Sequence, residues 1–190
     1  MTLSPTAYVI LGMLRHRPRS GYEIKRSVDR STRFFWAASY GQIYPELTKL
    51  SQAGLVEGES QPTGGRKRTV YRLTAAGREE LLSWLALPPE HYELRDEGLL
   101  KLFFASAAAD GTALEILDAK QRLMEEKLAT LRAIEPFAAD AASSDPFPYL
   151  VLRYGLESSQ WSIDWCERAR AELSGTKPKS KSKKGRRRAA

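Results

Sequence analysis

Two stretches, Ser20-Gly21-Tyr22-Glu23 and Ser39-Tyr40-Gly41-Gln42, have the form of a capping box. In that motif an N-cap hydroxyl and an acidic or amide side chain three residues on satisfy backbone N–H groups reciprocally. They dictate where two helices begin, and so restrict residues 1–88 more than any other feature of the chain. Ser4-Pro5 adds a third start, an N-cap residue followed by proline at the first helical position, where a missing N–H costs nothing. Behind these starts, Ala7, Ile10, Leu11 and Leu14 form one apolar face. Ile24 and Val28 form a second, with Lys25, Arg26 and Arg30 outward, and Ile43, Leu47 and Leu50 form a third at i, i+4, i+7. The aromatic Phe34-Phe35-Trp36 joins the second helix to the third.

Pro45 lies inside the third apolar pattern, where a helix interior normally loses a hydrogen bond and roughly 3 kcal/mol. Counting from Ser39, it falls just past the opening turn, so the one bond forgone is to the Gly41 carbonyl. The expected result is a loosened or kinked first turn and a regular helix to about Gly54, a good C′ residue.

Next, Leu55–Ser60 and Thr69–Leu73 are predicted as short strands, with turn chemistry in Pro62-Thr63-Gly64-Gly65 and the basic Arg66-Lys67-Arg68 beside the tip. Thr74 caps a helix through Trp84 and Leu85, and Pro88-Pro89 closes the segment. Three helices, a hairpin and a linking helix give residues 1–88 the order of a winged helix-turn-helix.

Residues 89–176 are predicted all-helical, so the chain as a whole is mainly α with a small β-hairpin. Leu99, Leu100, Phe103, Phe104 and Ala107 make one stripe. Leu114, Leu117, Gln121, Met124, Leu128 and Leu131 alternate spacings of three and four, an a/d heptad with one polar position, Gln121, suited to fixing register. A last helix carries Tyr154, Ser158, Trp161 and Trp165 on one side. This is more apolar helix surface than a monomer needs, and Leu117, Gln121, Met124, Leu128, Trp161 and Trp165 are the expected dimerisation residues. An intramolecular helical hairpin is the alternative use of the same stripes.

Charge is divided unevenly. Residues 1–88 carry 13 Lys+Arg against 7 Asp+Glu, residues 89–176 carry 9 against 16, and residues 177–190 carry 8 basic and no acidic residues. The net +7 therefore hides a basic, an acidic and a second basic block. The basic blocks fit a polyanionic partner. The tail KPKSKSKKGRRRAA is predicted disordered and adds either salt-sensitive affinity for DNA or plain solubility. No apolar run approaches the ~18 residues that cross a bilayer, and the N-terminus lacks the form of a signal peptide. The single cysteine, Cys166, leaves no internal disulfide and fits a reducing compartment, so a cytoplasmic setting is expected.

A helix that enters the major groove leads with short polar and aromatic groups at its N-terminal end. Ser39, Tyr40, Gln42 and Tyr44 are so placed, and glutamine commonly pairs with adenine N6 and N7. Lys49 is positioned for a phosphate, and Arg66, Lys67 and Arg68 for the backbone or minor groove. Catalysis finds no comparable support. His16 and His91 lie in different segments, the carboxylates of residues 90–97 suit a solvated helix face, and no glycine-rich phosphate loop follows a strand. No catalytic residue, metal ligand or cofactor is expected.

These residues resemble the PadR-type transcriptional regulators. The carriers are YVILGML, SGYEIKRSV, SYGQIYPELTKLSQAGLV and GGRKRTVYRLTAAGREEL, with a weaker likeness from DEGLLKLFFAS to the Trp165 helix. The resemblance covers roughly residues 5–173 and points to the longer subfamily, with a helical C-terminal dimerisation domain. It implies a homodimeric repressor of a palindromic operator, released by a small effector such as the phenolic acids of the founding branch. Ser39, Tyr40, Gln42 and Tyr44 match the recognition helix by position and Arg66 to Arg68 the wing; no effector residue carries over. The competing expectation is a non-specific nucleoid-associated protein that works through hairpin and tail.

Overall fold

The structure, a computed structural model, describes residues 3–63, 66–90 and 92–175. The chain divides into two compact units, with the division between Tyr92 and Glu93.

In the first unit the predicted helix starts are all present. In α1 (Pro5–Leu14) the Ala7 N–H donates to Ser4 Oγ at 3.1 Å. In α2 (Gly21–Arg30) the Glu23 carboxylate accepts from the Ser20 N–H at 2.8 Å and hydroxyl at 2.9 Å. A 3-10 turn (Thr32–Phe34) leads to α3 (Tyr40–Gln52), where Gln42 Oε1 accepts from the Ser39 N–H at 2.9 Å. Gly54, at φ +69°, ends α3. Its N–H donates to the Ser51 carbonyl and that of Leu55 to the Leu50 carbonyl, closing a Schellman motif. α3 runs unbroken as α-helix from Tyr40 to Gln52 with Pro45 inside it. A single bond forgone this near the N-terminus does not outweigh burying Ile43, Leu47 and Leu50, each worth roughly 1.5–3 kcal/mol.

The sheet has three antiparallel strands in the order β1-β3-β2: β1 (Arg19–Ser20), β2 (Val56–Thr63) and β3 (Arg66–Leu73). Pairing runs from Val56↔Leu73 to Thr63↔Arg66. The hairpin strands are thus longer than predicted, and Pro62 and Thr63 belong to β2 rather than to the turn. Pro62 is tolerated because β2 is an edge strand. The connecting Gly64-Gly65 lies outside the described residues. β1 escapes sequence reading, since two residues carry no periodicity.

The core gathers Ala7, Ile10, Leu11 and Leu14 of α1 with Ile24, Val28, Ile43, Leu47 and Leu50, and α4 (Ala75–Leu85) adds Leu81. Thr74 caps α4, its Oγ1 accepting from the Gly77 N–H at 3.0 Å. A Cβ on Gly77 would lie 2.0 Å from the Leu55 carbonyl oxygen, so α4 begins directly over the corner where α3 ends and β2 starts.

The second unit contains α5 (Glu97–Phe103), a 3-10 turn (Ala105–Ala107), α6 (Thr112–Ala141) and α7 (Phe147–Gly175). Asp96 caps α5 through the Leu99 N–H at 3.0 Å and pairs with the buried Lys120 ammonium, stapling α5 to α6. α6 and α7 form an antiparallel hairpin, as the Gln121–Arg170 and Arg132–Gln160 hydrogen bonds show. Its seam sets Leu117, Leu128 and Leu131 against the small and apolar Leu152, Ser159, Ile163 and Cys166. Small residues let the helices approach closely, and a Cβ on Gly155 would sit 3.0 Å from Leu131.

This corrects two expectations. Leu117 and Leu128 are buried by their own chain, so they build the hairpin instead of facing a second copy. Gln121 donates to Glu125 at 2.8 Å and accepts from Arg170 at 2.8 Å, setting register between α6 and α7 of one chain. Of the α5 stripe, Leu100, Phe103 and Phe104 are exposed. Met124 and Trp165 are half-buried. Trp161 is 62% exposed, beside exposed Phe147, Leu150 and Tyr154 on α7.

Candidate nucleic-acid interface

Burying Ile43, Leu47 and Leu50 turns the opposite face of α3 to solvent. Ser39, Tyr40, Gly41, Gln42, Tyr44 and Lys49 all lie on that exposed side. The Tyr40 and Tyr44 rings stack, with centroids 6.1 Å apart, and remain 45% and 48% exposed. The Lys25 ammonium lies 5.5 Å from the Tyr40 ring centroid and pairs with Asp29. Gly21 seats the Tyr44 ring, and a Cβ there would come within 2.7 Å of it. So α2 fixes where both tyrosines of α3 point.

Gln42 is divided between two tasks. Its Oε1 is held by the Ser39 N–H and, at 3.1 Å, by the Ser39 hydroxyl, while the side chain as a whole stays exposed. Lys49 pairs with Glu46 at 2.8 Å. Exposed pairs of this kind contribute under about 1 kcal/mol and exchange readily for a phosphate.

The wing residues separate. The side chains of Arg66 and Lys67 lie outside the described residues, as do residues 177–190 of the basic tail and His91. Arg68 is described, and it is tied down: its guanidinium donates to Glu23 at 2.6 Å. One carboxylate therefore caps α2 and braces the wing. The Ser20 backbone N–H first, and the Arg68 guanidinium after it, hold the Glu23 carboxyl at about 2. A depressed carboxylate contributes stability that is full above its unfolded value near 4.5 and is lost as pH falls toward 2. Glu23→Gln keeps a cap acceptor and loses the charge. Its unfolding midpoint is expected to lie below wild type at pH 7, with the gap narrowing below about pH 4.5 and closing only as pH falls to about 2; a gap that does not depend on pH contradicts the bracing role.

Lys25 and Arg33 escaped the sequence reading as site residues. Together with Asp29, Ala38 and Ser39 they line an open groove of about 490 Å³ against the start of α3. The available signal was charge, since Lys25 stands outward on a helix one turn from the capping box. Among the described residues no group of three His, Cys, Asp or Glu could hold a metal ion, and no helix is long and apolar enough to cross a membrane.

Comparison with known proteins finds relatives for both units. Residues 10–83 match the transcriptional regulator PadR-like family, and residues 94–174 match the virulence activator alpha C-terminal family. The chain is 33% identical over 168 residues to the negative transcriptional regulator PadR of Bacillus subtilis, spanning 84% of this chain and 92% of that protein. It also superposes on solved structures of the Bacillus protein. The complex with operator DNA gives a TM-score of 0.79 at 31% identity, over 88% of this chain and 98% of that one. The complex with p-coumaric acid gives 0.73 at 30% identity, over 92% and 100%.

Proposed function

Because the chain belongs to the PadR-like family of transcriptional regulators, we propose that it binds an operator as a homodimer and represses until a small effector releases it. The observation that carries this reading is the exposed leading face of α3, with Tyr40, Gly41, Gln42 and Tyr44 turned away from a fully buried apolar face. That geometry suits insertion into the major groove, with Lys25, Arg33 and Lys49 placed for phosphates on either side. Arg66 and Lys67 extend the contact from the wing, and Arg68 holds the wing in place. The exposed face of α7, running from Phe147 through Tyr154 to Trp161, meets its counterpart in the second copy, with the half-buried Trp165 and Met124 as further contacts. The p-coumaric acid complex of the Bacillus relative supports a small aromatic acid as the effector class. The chain works in the cytoplasm as a binding protein with no catalytic step.

The test is competition. A fragment of the promoter the protein controls should be bound at least a thousandfold more tightly than random duplex at physiological salt. A ratio near unity would favour the non-specific, nucleoid-associated alternative.

Gly41 offers a sharper test of the docking face. Within the unit a Cβ there meets only Ser39 Oγ, at an ordinary 3.8 Å, so nothing in the fold demands glycine. Glycine at an exposed helix position forgoes up to about 1 kcal/mol relative to alanine. We read it as clearance for the duplex backbone. Gly41→Ala is expected to leave the unfolding midpoint unchanged or raise it, while operator affinity falls about tenfold by titration. Unchanged affinity would mean that α3 docks by another face.

A further inference from the structure

The cap on α3 limits what Gln42 can say to a base. Its Oε1 accepts two hydrogen bonds, from the Ser39 N–H at 2.9 Å and from the Ser39 hydroxyl at 3.1 Å. A backbone N–H can only donate, so the oxygen of the amide faces the cap and the nitrogen faces away. Two bonds occupy both lone pairs of that oxygen. What the exposed side chain still offers a duplex is Nε2, with two hydrogens and no acceptor.

A glutamine reading adenine uses both ends, Nε2 donating to N7 and Oε1 accepting from N6. That pairing here would open the cap that starts the recognition helix. Guanine makes no such demand, because N7 and O6 are both acceptors on one edge. We infer that Gln42 selects a guanine in each operator half-site, through its Nε2 donors alone, while its oxygen stays on the cap. This rests on the operator-binding reading above and adds the base class to it.

Selection from a random duplex pool with the full chain tests it, alongside thermal unfolding of each variant. Gln42→Glu retains an oxygen for Ser39 and presents a second oxygen that accepts from cytosine N4. Gln42→Met fills the same space with no donor. Wild type is expected to enrich guanine about tenfold at one position of each half-site. Gln42→Glu should move that position toward cytosine with an unchanged melting midpoint, and Gln42→Met should flatten it. Any other base at the position those variants alter overturns the inference, as does a site that neither variant alters; adenine there would mean that the cap opens on binding. A wild-type pool with no enriched sequence would instead remove the operator reading itself.

Discussion

Gly77→Ala is expected to cost about 3 kcal/mol or more, the upper part of the range for forcing extra atoms into packed structure. The new methyl would stand 2.0 Å from the Leu55 carbonyl oxygen and 2.9 Å from a Leu73 methyl. Neither neighbour can yield cheaply. The Leu55 carbonyl accepts from the Thr74 N–H at 3.2 Å, and the Leu55 N–H donates to Leu50 at 2.9 Å. The Thr74 hydroxyl also reaches the Gly54 carbonyl at 2.8 Å. Relief would require lifting α4 off the α3–β2 corner and withdrawing Leu81 from the core. For a unit whose total stability is on the order of 5–15 kcal/mol, such a loss leaves a visibly lower denaturation midpoint in urea. Gly12→Ala is the matched control, because a Cβ there has nothing within 4 Å; it should hold or raise the midpoint. A Gly77→Ala loss below about 1 kcal/mol would mean the corner is softer than its hydrogen bonds imply.

Trp161→Glu is expected to separate assembly from folding. Trp161 is 62% exposed, so the charge costs the isolated chain little. It lies in an outward row with Phe147, Leu150 and Tyr154, which together expose more apolar surface than a solitary helix needs. Analytical ultracentrifugation should find the variant monomeric at micromolar concentration, with an unchanged circular dichroism spectrum. Losing the second half-site contact then lowers operator affinity by two orders of magnitude or more, since paired binding typically multiplies affinity by about 10²–10⁴. Leu128→Ala gives the contrasting result. Leu128 is buried in the α6–α7 seam, so its truncation should cost about 2–5 kcal/mol of stability. A Trp161→Glu protein that still sediments as a dimer would place the interface elsewhere.

Helix starts were legible in the chain because capping is local: Ser4, Ser20, Ser39 and Thr74 each satisfy a donor three residues away or nearer. The core of the first unit was legible for the same reason, since each apolar face repeats at helical spacing. What was hidden depends on long-range partners. Arg68 looks like a free wing cation until Glu23, distant in the chain, is found beside it. The heptad of α6 looked like an interface for a second chain because periodicity specifies a partner helix without saying whose. α7 supplies that partner through Leu152, Ser159 and Cys166, a row too small and mixed to stand out as an apolar stripe. Gln42 was recognised as exposed, but its capping bond and its reading of a base compete for one atom. Spacing marks both roles, the capping box and the exposed leading position, and the structure shows that they meet on Oε1.

The wing is a propped beam. Its root is clamped at the corner where Val56 meets Leu73, the same corner that ends α3, so helix and wing turn about one fulcrum. Eight residues of strand at ~3.3 Å each give an arm of roughly 26 Å, and a tilt of about 5° at the root would sweep the free end through about 2 Å. The Glu23–Arg68 strut meets this arm opposite Gln61, well along its length. Beyond it, among the described residues, the ladder continues for the Pro62–Lys67 and Thr63–Arg66 rungs. The span between root and strut is thereby held at both ends and keeps its angle to the recognition helix.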